Sequence, residues 1–181
     1  MQSFISIWNG LMATAVFVGM AAIMALIYTL ALPQDGFSRS VGSFVSKNIL
    51  GIGFLISLAA IISSLVYSNI IDYPPCLLCW WARVLFYPQV ILFGRALWKK
   101  DFNILPYAMI LTLLGAILTA YHSTIMITGE SLLPCTVGGI SCLTRDVFMF
   151  GFITIPFMGF IGFTTLLFSL FVAKKSYNKI S

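Results

Sequence analysis

The residues of this chain best equipped for chemistry are four cysteines, and they come as two pairs. Cys76-Leu77-Leu78-Cys79 is a C-x-x-C, while Cys135 and Cys142 are separated by six residues. A C-x-x-C can serve dithiol redox exchange or zinc ligation. Here Pro74-Pro75 precede it and an apolar stretch follows at once, which places the thiols at a helix N-terminus whose partial positive charge favours a thiolate. Arg83 stands four residues beyond Cys79, one turn deeper on the same helix face, where a cation stabilises a neighbouring anion, thiolate or reduced cofactor. Structural staples are a rival reading. Chain-entropy arithmetic assigns about 2.5 kcal/mol to a Cys135–Cys142 loop and about 1.9 kcal/mol to Cys76–Cys79, against about 4.4 kcal/mol for joining Cys76 to Cys142. Short local pairs therefore suit exchange better than stapling. A four-cysteine zinc site is a second rival, but an oxidising surface is an unusual place for one, and no metal site is expected.

Few other side chains can take part. His122 is the single histidine, and its place near the end of an apolar stretch puts it within ~3–5 Å of Arg83 in depth. Tyr87 continues the Cys79–Arg83 stripe at i+4, and Trp80 and Trp81 suit an interfacial belt or a cofactor wall. Arg145, three residues after Cys142, is placed either to stabilise that thiolate or to meet lipid headgroups. Asp72, Glu130 and Asp146 offer no paired acid–base geometry. Thiol exchange moves two electrons, so a dithiol pair at a membrane rim needs an acceptor. No dinucleotide fingerprint occurs, and one histidine cannot supply bis-histidine haem ligation. A lipid-soluble quinone, ubiquinone or menaquinone, asks only for an apolar slot, a cation or donor for its oxygens and access from the bilayer. The stripe through Cys79 and Arg83 offers these.

The elements that must position these groups are membrane helices. The 181 residues are 60% hydrophobic and 8% charged, with a mean hydropathy of +1.03. Such values exclude a soluble globular domain, a disordered chain and a coiled coil, and the alternation of an outer-membrane barrel is absent. Five apolar stretches, roughly 11–32, 50–71, 80–98, 105–127 and 148–173, are each long enough to span. The first lacks a basic leader and a cleavage site and is expected to be a retained helix. Arg39, Lys47, Lys99, Lys100, Lys174, Lys175 and Lys179 fall in one set of connecting segments, and the alternate set holds only Arg145. The positive-inside rule then turns all four cysteines outward, away from the cytoplasm and to an oxidising face. The net charge of +5 is read as this topology signal and not as nucleic-acid binding. Arg95 is placed to snorkel to the inner interface. Pro106 opens its span, Pro88 and Pro156 are expected inside theirs, and Gly138 and Gly139 loosen the polar segment 128–147. The expected architecture is an all-α integral membrane protein: an extra N-terminal helix and cytoplasmic loop over 1–49, then a four-helix bundle with a short tail over 50–181.

The string Cys76-Leu77-Leu78-Cys79-Trp80-Trp81-Ala82-Arg83 at the outer start of a membrane helix resembles the bacterial DsbB disulfide-bond formation family. The later run Leu118-Thr119-Ala120-Tyr121-His122, with Pro134-Cys135 and then Cys142, strengthens the likeness, and the short second pair is similar to the compact BdbC-type members. In bacteria a DsbA–DsbB–quinone chain keeps the periplasm oxidising. The resemblance, over about residues 50–173, implies a four-helix bundle in which Cys135–Cys142 oxidises a reduced thioredoxin-fold, DsbA-like partner, with Cys135 as the point of attack. Electrons would then pass to Cys76–Cys79; Cys79 would react with quinone, Arg83 would help hold it, and His122 matches a histidine near it. The extra first helix lies outside the family pattern. Two alternatives remain at this point: a vitamin K epoxide reductase-like enzyme, which uses a similar bundle and C-x-x-C, and a small transporter or scaffold with structural disulfides.

Overall fold

Apolar stretches of this length have one simple way to satisfy their backbone N–H and C=O groups in hydrocarbon, which is to hydrogen-bond within each helix. The computed structural model describes residues 2–32, 35–129, 141–143 and 146–177. Among them lie five helices: α1 (Gln2–Ala31), α2 (Gly36–Leu65), α3 (Leu77–Lys99), α4 (Leu105–Thr128) and α5 (Ile155–Tyr177). All five are long and apolar enough to cross a membrane. The protein is an all-α integral membrane protein.

Helices α2, α3, α4 and α5 each pack on the next and α5 returns to α2, closing a four-helix ring. Helix α1 lies outside that ring, against α5 and α2. The N-terminal end of α1 meets the end of the bundle that carries the C-x-x-C, where the Tyr67 hydroxyl donates to Asn9 Oδ1 at 2.9 Å. At the opposite end Lys175 Nζ donates to the Leu30 carbonyl at 3.0 Å. Lipid tails are as apolar as leucine, so close fit and buried hydrogen bonds hold such helices together. Phe163 fills the space that Gly115 leaves on α4, and its ring stacks on Phe86 with centroids 3.7 Å apart. Phe93 uses Gly53 of α2 in the same way. Gln89 accepts from the Thr112 hydroxyl at 3.0 Å, a buried bond between α3 and α4.

The helix ends depart from the sequence expectation in three places. Residues 36–49, expected as part of a connecting loop, belong to α2. Val45 and Ile49 repeat at helical spacing and pack into the core with Leu166 and Leu170, while Arg39 and Lys47 occupy the exposed face. Those charges mark a solvated side of a helix and do not end it. At the other end α2 widens into a π turn over Val66–Ile70. The third departure is at 148–154, expected to begin the last span. Met149 and Ile153 bridge across a tight turn in which Phe150 (φ 53°) and Gly151 (φ 79°) are both left-handed. The Thr154 hydroxyl then accepts from Phe157 N at 3.4 Å and caps α5. Pro156 accordingly sits in the first turn of α5, where a missing N–H costs little, and not in the helix interior. Pro106 opens α4 and Pro88 lies inside α3, as expected.

Candidate redox site

The chain reaches the C-x-x-C in an extended conformation. Asp72 turns it through a left-handed φ of 66°, Tyr73 N donates to the Tyr67 carbonyl at 3.0 Å, and Pro74-Pro75 hold it straight up to Cys76. Cys76 (φ −72°, ψ 172°) is the N-cap of α3, and its carbonyl accepts from Trp80 N at 3.1 Å. One helical turn then brings Cys79 back beside it, with the Cys76 Sγ donating to Cys79 Sγ at 3.2 Å. The two thiols are close enough for small side-chain rotations to reach the ~2.05 Å of a disulfide.

Two further groups close on Cys76. His122, 2% exposed on α4, places Nε2 3.8 Å from Cys76 Sγ and 3.3 Å from the Cys142 carbonyl oxygen. Cys142 has no exposed surface and packs in one apolar cluster with Cys76, Leu78 and Ile125, with Cys79 at its edge. The structure thus draws together Cys76, Cys79, Cys142 and His122, from three separate parts of the sequence. The Cys76 thiol is pushed up to about 12, first by donating its hydrogen bond to Cys79 and then by burial, with the hydrogen bond to His122 acting in the opposite sense. Asp146, which lines a small cleft together with Cys76, Cys79 and Cys142, has its carboxyl raised above the usual range by burial. The ligating atoms of Cys76, Cys79 and His122 lie within 4.8 Å of one another, a soft donor set that could hold a metal ion, one short of the four ligands of a structural zinc site.

Arg83 is 7% exposed, and an intramembrane guanidinium must be compensated. Its Nε donates to Ser64 Oγ at 2.7 Å and a terminal nitrogen to the Ser64 carbonyl at 3.0 Å, two residues before the π turn of α2. The guanidinium also lies 5.1 Å from the centroid of the Trp80 ring. Ser64 thus takes two of the five N–H donors, leaving others for a ligand. Arg83 lines a largely apolar cavity of about 610 Å³ together with Cys79, Ala82, Phe86, Thr119 and His122. Arg83 and His122 thus open onto the same cavity.

Other expectations fare differently. Tyr87 is exposed on the outer surface of α3 and does not continue the stripe into the cavity. Trp80 and Trp81 are both exposed, as belt residues are, although Trp80 also covers Arg83. Cys135 and Arg145, with Glu130, Pro134, Gly138 and Gly139, lie outside the described residues. Sequence reasoning missed Ser64. Its signal was the Ser63-Ser64 pair in an otherwise apolar run, a polar interruption that a membrane helix carries at a cost.

A family model for "Disulfide bond formation protein DsbB" matches residues 46–173. The chain belongs to the DsbB family. Membership makes it a membrane disulfide oxidoreductase, and the transporter and scaffold readings lapse. Among similar proteins, the "Probable disulfide formation protein C 2" of Bacillus anthracis is 32% identical over 139 residues, covering 76% of this chain and 99% of the relative. The "SPbeta prophage-derived disulfide bond formation protein B" of Bacillus subtilis (strain 168) is 37% identical over 113 residues, 62% of this chain and 76% of the relative. The "Disulfide bond formation protein C" of the same strain is 33% identical over 115 residues, 63% and 83% of the two chains. No solved structure matches. The DsbB match begins inside α2 and ends inside α5, so α1, which packs on the outside of the four-helix ring, lies beyond it in sequence.

Proposed function

We propose that this DsbB-family chain is a thiol:quinone oxidoreductase that re-oxidises an extracytoplasmic, DsbA-like thioredoxin-fold protein. One observation carries the reading. The C-x-x-C joins two environments: Cys76 shares a buried cluster with Cys142, and Cys79, at the edge of that cluster, also lines the apolar cavity. Redox equivalents arriving as thiols at one sulfur can therefore leave into the membrane at the other. The charge bias of the connecting segments supports a cytoplasmic membrane with the thiol end outward.

A partner thiolate attacks Cys135 of a Cys135–Cys142 disulfide, forming a mixed disulfide and releasing Cys142 as thiolate. The partner's second thiolate then resolves the mixed disulfide, leaving the partner oxidised and Cys135 and Cys142 reduced. Cys142 next attacks Cys76 of a Cys76–Cys79 disulfide, and Cys79 leaves as thiolate. Attack of Cys135 on Cys142 finally restores the second pair and frees Cys76. Two electrons have then moved from the partner to Cys76–Cys79.

The residues present suit a quinone. The cavity lies within the ~300–1,000 Å³ usual for small-molecule sites. Arg83 supplies donors and positive charge at one end of it, next to a redox sulfur. A bound quinone supplies the acceptance of two electrons and two protons, which returns Cys76–Cys79 to the disulfide. Arg83, pinned by Ser64, presents a preorganised charge in a dry site, where such a charge is most effective. A hydrogen on His122 Nε2, which the Cys142 carbonyl would accept at 3.3 Å, also lies toward Cys76 Sγ and is placed to stabilise that sulfur as a thiolate when it becomes a nucleophile. Anaerobic mixing of the purified protein with a reduced thioredoxin-fold partner should give loss of partner thiols only when quinone is added, and Cys79→Ser should abolish it. The absence of quinone-dependent thiol loss in the wild type would sink the proposal.

A further inference from the structure

The cavity that begins at Cys79 and Arg83 does not end with the family's four helices. Helices α3 and α4 line it only near the thiol end, through residues such as Cys79, Arg83 and His122. Farther along, its walls are Val41, Val45 and Ile52 of α2, Ile161 and Thr165 of α5, and one face of α1. On α1 the lining runs from Met12 through Ala15, Gly19 and Ala22 to Leu26, a stripe at helical spacing, whereas Met24 points away and is 71% exposed. Fourteen residues of helix rise by ~21 Å. The cavity is therefore a long slot with a polar head and an apolar body. The hydroxyls in the deep part are turned inward on their own helix: Thr165 Oγ1 donates to the Ile161 carbonyl at 2.7 Å and Ser169 Oγ to the Thr165 carbonyl at 2.8 Å. Neither asks for a polar ligand. Gly19 lets α1 approach Ile161 of α5 so closely that a Cβ would lie 2.5 Å from Ile161 Cγ2, and this contact sets the position of the α1 wall.

We propose that α1 is the outer wall of a channel for the isoprenoid tail of the quinone, turning a groove between α2 and α5 into an enclosed slot that selects long-tailed quinones. The inference rests on the quinone reading above and extends it to residues that the DsbB match leaves out. The occupant follows from the shape: a redox ring at the Cys79–Arg83 end needs a hydrocarbon chain leading directly away from it. A four-carbon isoprenoid repeat extends somewhat beyond the ~3.3–3.6 Å of a three-atom peptide repeat, so ~21 Å accommodates about four repeats.

The test measures equilibrium binding to the full chain in lipid nanodiscs. The probes are ubiquinone and menaquinone with four isoprenoid repeats, the corresponding tail-less rings, and a four-repeat analogue carrying a diazirine on its last repeat. Ala22→Phe should weaken four-repeat binding by ~10-fold or more, the worth of about two displaced methylenes, and leave tail-less binding within about twofold. Met24→Phe, on the lipid-facing side, should change neither. Photolabelling of the wild-type chain should mark α1 between Gly19 and Leu26, and this arm does not depend on a variant folding. If four-repeat binding is unaffected by Ala22→Phe and the label falls only on other helices, the α1 wall is wrong while the quinone reading stands. If the wild type binds neither the tail-less nor the tailed quinones, the quinone reading itself fails and takes this inference with it.

Discussion

Arg83→Met is the most informative single substitution. Methionine keeps much of the bulk and removes the charge and all donors. The structure indicates what is lost on each side. Toward the protein, two hydrogen bonds to Ser64 and the contact with the Trp80 ring disappear. The Ser64 hydroxyl is not stranded, because it can turn to the carbonyl one turn back, as Ser57 does to Gly53 at 2.7 Å and Ser63 to Ala59 at 2.7 Å. The folding penalty therefore stays within the ~1–3 kcal/mol of one under-satisfied buried carbonyl, and both disulfides should still form. Toward the cavity, one charge-assisted hydrogen bond to an oxygen that gains negative charge on reduction is lost. That is about 1.5–3 kcal/mol, or roughly 10- to 150-fold in kcat/KM for quinone. Arg83→Lys should recover only part, since an ammonium cannot reproduce the planar fork that meets both Ser64 oxygens. Ser64→Ala, which frees the guanidinium without removing its charge, should give a smaller defect expressed mainly in KM. Steady-state rates over a quinone titration at fixed reduced partner, with disulfide status read by alkylation, separate these outcomes. If Arg83→Met is folded and kinetically silent, the arginine only ties α3 to α2, and the placement of the quinone ring is wrong.

Three further outcomes follow from the geometry. Reduced Cys76 should resist alkylation at neutral pH and react only as pH climbs toward about 12; because the fold retains a proton that an unfolded thiol gives up earlier, the reduced protein should also lose stability as pH rises through that interval. Cys79→Ala removes the largest cause of the shift and should speed Cys76 alkylation at pH ~8, whereas an ordinary thiol profile in the wild type would contradict the pairing seen here. Gly115→Leu drives a side chain into the Phe163 ring and should lower stability by ~1–3 kcal/mol, seen as earlier thermal unfolding in detergent. Trp98→Cys, at the opposite end from the thiols, should be labelled by an impermeant maleimide only from the cytoplasmic side and Phe4→Cys only from outside; the reverse pattern would remove the oxidising setting of the thiols.

The sequence made some of this legible for identifiable reasons. Five spans could be read because every one is a long apolar run. The Cys79–Arg83 pair could be read because one i+4 step keeps two side chains on nearly the same face. A second step does not: each advances about 40° around the helix, so Tyr87 has drifted about 80° from Cys79 and faces outward. The start of α2 is obscured in the sequence because Arg39 and Lys47 resemble the charges of a loop, although Val45 and Ile49 carry the helical register beneath them. The turn at 149–153 was hidden by its own apolar residues, with Gly151 the one signal. Neither Ser64 as the partner of Arg83 nor α1 as a cavity wall could be read, because both are contacts between distant segments. In a helix that meets lipid on one side and protein on the other, hydropathy carries little direction.

In the proposed scheme the burial of the thiols decides where a partner protein can begin. Cys142 has no exposed surface, Cys76 is buried in the same cluster, and Cys79 lines the membrane cavity. A thiolate on another protein must approach a disulfide sulfur along its bond, and the cleft that these three line, about 50 Å³, is too narrow for that approach without opening the cluster formed with Leu78 and Ile125. In the proposed scheme this leaves Cys135 as the point of entry and makes Cys142 an internal relay. Cys135→Ser should therefore end oxidation of the partner while the Cys76–Cys79 dithiol still consumes added quinone in a single turnover. Cys142→Ser should have the same two effects, since the relay is cut on the same side of the C-x-x-C. Single-turnover quinone reduction by chemically reduced protein, beside multiple-turnover oxidation of the partner, distinguishes the two halves. If Cys135→Ser still oxidises the partner, the attacking thiolate reaches Cys142 or Cys76 directly, and the closed thiol cluster must open during the reaction.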